Sequence, residues 1–126
     1  MIEVLKQYPK AAQVMKDYYI DLMIESSQDL PDHFREFLEE RGLEMSNIAD
    51  MMAAAPRNLF DVFDEYGIII SITYDKAASK FCYFVNEYEN KEHFDTRKEA
   101  DKDAVQTALL LLEAKLNALE KTNEDS

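Results

Sequence analysis

The sequence predicts an α+β fold on three observations. Apolar residues recur at helical spacing up to residue 67, β-branched and aromatic residues crowd into 68–88, and helical spacing returns after residue 96. At 126 residues the chain fits a single domain that can bury a core without metal or disulfide staples. That domain is expected to comprise a helical part, 1–67, a hairpin with a long helix, 68–121, and a polar tail, 122–126, that frays.

Val4, Tyr8, Ala11, Ala12, Met15, Tyr18, Tyr19, Leu22 and Met23 fall on one helical stripe, and Pro9 suits the first position of the main helix, where its missing N–H is not needed. This helix should run to about Ser27. "SSQDLPDH" then offers Asp29 as a cap and Pro31 near the first turn of a second helix, which turns Leu30, Phe34, Phe37 and Leu38 inward and stops at Gly42. Ser46 is the expected cap of a third helix with Ile48, Met51 and Met52 inward. Pro56 opens a fourth, with Leu59, Val62, Phe63 and Tyr66 inward and Gly67 at its end.

"IIISITY" and "KFCYFVNEY", separated by the polar turn "DKAAS", read as an antiparallel β-hairpin, with "ENKEHF" available as a short third strand. Ile68, Ile70 and Ile72 alternate with Ile69, and Phe81, Tyr83 and Val85 with Cys82 and Phe84. Apolar groups therefore lie on both faces, and the sheet is expected to be covered on both sides or extended by a partner.

The long C-terminal helix has the clearest start. Thr96 and Glu99 form a capping-box pattern, and Phe94 is placed to fold over Ala100. Val105, Leu109, Leu112, Leu116 and Leu119 follow at alternating spacings of four and three, a seam for packing inside the chain or against a second subunit. Leu110 and Leu111 widen it, so the helix should have neighbours on two sides.

Chemistry-bearing patterns are sparse. The 26 acidic residues against 14 basic ones give a formal charge of −12, which repels nucleic acid and anionic membrane and favours a partner with a basic surface. Cys82 is the lone cysteine, expected to be a buried, unreactive thiol, and no multi-cysteine metal site can exist. His33 and His93 stand apart from any metal-ligand spacing, and the two glycines leave no phosphate loop. Asp61, Asp64 and Glu65 lie on a helical pattern rather than at calcium-loop spacing and read as a solvated face. Tyr18, Tyr19, Tyr66, Tyr74, Tyr83 and Tyr88 read as core-border residues. No catalytic residue, metal or cofactor is assigned. No apolar run reaches the ~20 residues of a membrane span, and the start lacks a secretory pattern, so a cytoplasmic location is expected.

Two resemblances add context. Residues 45–64 are similar to the helix-turn-helix of bacterial repressors: Ile48 and Ala49 fit an apolar residue followed by alanine, Met52, Ala53 and Ala54 fit the helix end and turn, and Leu59 and Val62 fit the inward positions of the second helix. The family usually has glycine where Ala53 stands and a polar residue in place of Ala55. The resemblance implies a winged DNA-binding regulator with Arg57, Asn58, Lys76 and Lys80 as DNA contacts. Yet the second helix presents one cation, Arg57, against Asp61, Asp64 and Glu65. "LFDVFDEYGIIISITYD", "KFCYFVNEY" and "FDTRKEADKDAVQTALLLLEAKL" together resemble small proteins of bacterial prophages and mobile elements, which implies a context rather than an activity. The leading expectation is a non-catalytic, acidic protein-interaction protein, with a homodimer through the leucine seam as one arrangement; the DNA-binding regulator is the alternative.

Overall fold

The fold comes from a computed structural model, which describes residues 1–26, 44–90 and 92–124. The expected helix around Leu30, Phe34, Phe37, Leu38 and Gly42, together with His33, lies outside the described residues. The N-terminal stripe is carried by two helices, α1 (Ile2–Gln7) and α2 (Pro9–Ser26), with Pro9 at the first position of the longer one as expected. The break is at Tyr8, at φ −125° and ψ 70°. The ring of Pro9 crowds the backbone of the residue before it and drives that residue out of the helical region. Leu5, Ala11, Ala12, Met15, Tyr19 and Ile20 are buried, whereas Leu22 is 42% exposed.

Helix α3 (Met45–Ala54) starts two residues earlier than a Ser46 cap would set it. Its cap is Glu44, whose N–H donates to Asn47 Oδ1 at 3.0 Å, and Ser46 lies within the first turn. Pro56 opens a short 3-10 turn (Pro56–Leu59) that leads into α4 (Phe60–Glu65). Leu59, Val62 and Phe63 turn inward as expected. Gly67 then reverses the chain at φ +74°, a conformation that costs other residues strain.

The sheet has three antiparallel strands in the order β1 (Ile70–Asp75), β2 (Lys80–Val85), β3 (Tyr88–Glu89). Asp75 Oδ1 accepts the N–H groups of Ala77 and Ala78, at 3.0 and 3.3 Å, and Ser79 takes a positive φ, which together shape the hairpin loop. The third strand is Tyr88–Glu89, upstream of most of "ENKEHF"; from that stretch Asn90 donates its N–H to the Tyr83 carbonyl at 3.0 Å, and Phe94 exchanges both backbone hydrogen bonds with Phe81. One sheet face, carrying Tyr83 and Val85, packs on the C-terminal helix α5 (Arg97–Glu124). On the opposite face Ser71 and Thr73 are exposed and Cys82 and Phe84 half-buried, so among the described residues this face is less covered than the one on α5. Cys82 accordingly is half-buried, not buried: strand alternation points it away from the core opposite Tyr83, and its Sγ lies 3.0 Å from Thr73 Oγ1.

Helix α5 is the spine. Thr96 Oγ1 accepts the N–H of Glu99 at 3.2 Å, half of the expected capping box. Phe94, which also flanks this start, stacks on Tyr83 with ring centroids 6.1 Å apart. Ala100, Ala104 and Ala108 form a small-residue ridge, and with Val105, Leu109 and Leu112 they are fully buried between the sheet and the helices α2 and 3-10 turn. The helix continues through Glu124, so 122–124 extend it rather than begin a tail; nothing in "EKTNE" halts a helix as glycine or proline would.

Polar side chains of α5 close the ends of its neighbours. Glu113, buried, accepts the N–H of Ala11 at 2.7 Å and of Lys10 at 3.3 Å, the amides that the start of α2 leaves open. Lys115 Nζ donates to the carbonyl of Tyr66 at the end of α4. An anion thus meets a helix N-terminus and a cation a C-terminus, the sign the backbone dipoles favour. A β-carbon added at Gly67 would lie 3.3 Å from that same Lys115 Nζ. Glu113→Ala, by stranding two amides away from water, is expected to cost about 1–3 kcal/mol. The loss should appear as a lower urea midpoint with an unchanged slope; an unchanged midpoint would refute the role given to Glu113.

Candidate functional site

A groove of about 400 Å³ runs between α2 and α4, lined by Val14, Asp17, Tyr18, Asp21, Leu22, Glu25, Asp61, Val62, Glu65 and Tyr66. Its walls follow from helical periodicity. The α2 residues are spaced three and four apart, so they share one face, and the α4 residues form a matching pair of turns. The described lining holds five carboxylates and no lysine or arginine. Tyr18, Tyr66, Val14, Val62 and Leu22 supply the apolar surface between the acids, and Tyr18 Oη reaches the carbonyl of Asn58 at 3.5 Å. Asp17, Asp21 and Glu25 follow at four-residue intervals on one helix, where like charges repel by about 0.2–0.5 kcal/mol per pair. The arrangement is electrostatically suited to a cationic side chain with an apolar stem.

This groove was missed as a unit by the sequence reading. Asp61 and Glu65 belong to it, as do Tyr18 and Tyr66, while Asp64 is exposed outside the lining. The periodic acids of α2 were the available signal, but their juxtaposition with α4 depends on tertiary packing.

The helix-turn-helix shape is present as α3, Ala55 and the 3-10 turn running into α4, but two of the three cations assigned to it, Arg57 and Lys80, are engaged. Arg57 grips Asp101 of α5 with two bonds, Nε to Oδ2 at 3.2 Å and Nη2 to Oδ1 at 3.0 Å, and lies over the Phe60 ring at 5.6 Å. The Asp101 side chain is only 8% exposed, so the pair is an internal tie between the 3-10 turn and α5. Lys80 pairs with Asp95 at 3.3 Å, and Asn58 and Lys76 are exposed. The structure does not bring these four residues into one basic stripe: Arg57 and Asn58 sit on the 3-10 turn, Lys76 and Lys80 at the hairpin tip. Of the leucine seam, Val105, Leu109 and Leu112 are fully buried in this chain's own core, Leu116 is half-buried and Leu119 is 53% exposed, which leaves only its C-terminal end within a partner's reach.

Two other polar clusters are structural in geometry. Tyr83, fully buried, donates to Asp103 Oδ2 at 2.6 Å and receives Asn90 Nδ2 at 2.6 Å and Thr107 Oγ1 at 2.9 Å, joining β2, the β3 end and α5. Burial, reinforced by the Asp103 carboxylate, pushes its phenol up to about 12. Burial likewise pushes Tyr19 up to about 12, with Tyr18 adding to it. His93 Nε2 lies 3.2 Å from Asp75 Oδ2; the Ala78 N–H first, and then His93, hold Asp75 below the usual carboxylate range. Among the described residues no group of three or more His, Cys, Asp or Glu is placed to hold a metal ion, and no helix is long and apolar enough to cross a membrane.

In comparisons with known proteins, the chain matches no family model, no curated protein and no solved structure.

Two outcomes follow from these clusters. Because Tyr19 and Tyr83 hold their protons more tightly folded than unfolded, where tyrosine titrates near 10, their contribution is complete below about pH 10 and is lost as pH rises towards 12. Urea midpoints measured between pH 8 and 12 should fall across that window, and less so in Tyr83→Phe. Arg57→Ala should destabilise the fold by about 1–2 kcal/mol, since it leaves the Asp101 carboxylate without its ion-pair partner and the half-exposed guanidinium limits the loss. Equal midpoints for Arg57→Ala and the parent chain would show that the pair holds nothing together.

Proposed function

We propose that this chain is a non-catalytic interaction protein that takes a basic segment of a partner protein into the groove between α2 and α4. The observation that carries the reading is that groove's composition, five carboxylates around Tyr18, Tyr66 and Leu22 with no cation in the described lining. Lysine and arginine stems can lie on the apolar floor while their charges meet the rims, which is how long cationic side chains bury part of themselves without losing solvation. The net charge of −12 extends the attraction beyond the contact and speeds encounter with a basic partner. Origin in a prophage or mobile element, implied by the likeness of the second half, belongs to the same proposal and supplies a setting in which small acidic proteins meet basic ones.

The regulator reading has weaker support, because Arg57 is committed to Asp101 and the exposed remainder of α4 is Asp61, Asp64 and Glu65. Titration of a fluorescent oligoarginine peptide is expected to give saturable binding that weakens as salt is added. The double variant Asp61→Lys, Glu65→Lys should reduce affinity by about ten-fold or more while the far-ultraviolet spectrum stays the same. Absence of binding, or identical binding by the double variant, would remove the groove from consideration.

A further inference from the structure

The outer edge of β1 has no pairing strand among the described residues. In an antiparallel sheet each residue points its N–H and C=O to one side only, and the side alternates along the strand. Phe81 gives both groups to Phe94, so it gives none to Tyr74, its neighbour on β1. Ile69 accepts from Asn86 and so faces β2. The same alternation therefore aims the N–H and C=O of Ile70, Ile72 and Tyr74 away from β2, onto an edge with which no described residue pairs. The edge has none of the usual guards: no lysine, no proline and no bulge between Ile70 and Tyr74.

We propose that this edge pairs with the same edge of a second copy, joining two three-stranded sheets into one of six strands. Register follows from symmetry. With Ile72 opposite Ile72 of the second copy, Ile70 meets Tyr74 on either side, and all three outward N–H groups and all three carbonyls of each copy find partners. The same register sets Ser71 opposite Thr73 on the less covered face, a cross-strand pairing of hydroxyls that sheets favour. It also brings Tyr74, 50% exposed in the single chain, against Ile70.

The self-complementary register selects a second copy as the occupant, and the local charge permits it. Two molecules of charge −12 repel, so contact between them is least opposed where carboxylates are absent. The two longest stretches without a charged residue are 66–74 and 104–112; the second is spent on the core of α5, and the first contains this edge. Asp75, the nearest acid, is set by the antiparallel register about 20 Å from its counterpart, roughly twice the screening length at physiological salt. A partner chosen for the acidic groove would bring positive charge, for which this edge offers no counterpart.

The test is sedimentation equilibrium across a wide concentration range, together with amide hydrogen exchange of the intact chain by NMR. The expected result is a mass that rises to twice that of the single chain, with exchange at Ile70, Ile72 and Tyr74 slowed about ten-fold or more as the dimer forms. Tyr74→Pro removes one outward N–H that has no partner within the chain, and should abolish the dimer with the circular dichroism retained. Should that variant fail to fold, Ser71→Lys with Thr73→Lys places like charges opposite each other across the two-fold axis and should also give a single-chain mass. A single-chain mass throughout, a dimer that leaves the three amides unprotected, or a dimer that survives in either folded variant overturns the proposal. So does protection that appears only when a basic peptide is added, which would assign the edge to another protein.

Discussion

The fold depends on one buried carboxylate, Glu113, set beneath the first turn of α2. The start of a helix presents N–H groups with no acceptor of their own, and α2 has to begin where Pro9 breaks it from α1, against the body of the molecule. Water cannot serve those amides there. Glu113 does so from a position 102 residues away in sequence, and in doing so fixes the height of α2 along α5. Lys10 adds Asn117 and Glu120 as exterior contacts to the same junction, so the register of the two helices is set by hydrogen bonds and its area by the alanine ridge and leucines.

Three acids of α5 divide the work of holding the rest. Asp101 holds the 3-10 turn through Arg57, Asp103 holds β2 through Tyr83, and Glu113 holds α2. These carboxylates are directed at partners on other elements, whereas those of the α2–α4 groove line a cleft open to solvent. A net charge that looks uniform in composition is therefore split between internal ties and an outward field.

Where structure is determined locally, the residues disclosed it. Thr96 and Glu99 announced the start of α5, Gly67 the end of α4, and "DKAAS" the hairpin loop, because each acts on backbone groups within a few positions. Pro9 marked the start of α2 in the same way, because its ring acts directly on Tyr8. Glu44 was overlooked as a cap because Ser46 is the more usual residue type, although Asn47 was in place to answer Glu44. What no local reading could supply is pairing at long range: Arg57 with Asp101, Tyr83 with Asp103, and above all the meeting of α2 and α4 that makes separate acids into a groove. The leucine seam shows the same limit, since spacing reveals a stripe but not that Leu112 ends inside the core and Leu119 outside it.

Gly67 and Lys115 illustrate how such ties constrain change. The lysine reaches the carbonyl of Tyr66 across the space that a side chain at 67 would enter, and the backbone there already occupies a conformation natural to glycine. The two sites are consequently epistatic: losing the lysine opens room at 67 without relieving the torsional demand, so alanine at 67 is penalised in either background, but by unequal amounts. Change at this corner is therefore governed first by the torsion at 67 and only second by the lysine, whose flexible end can give way.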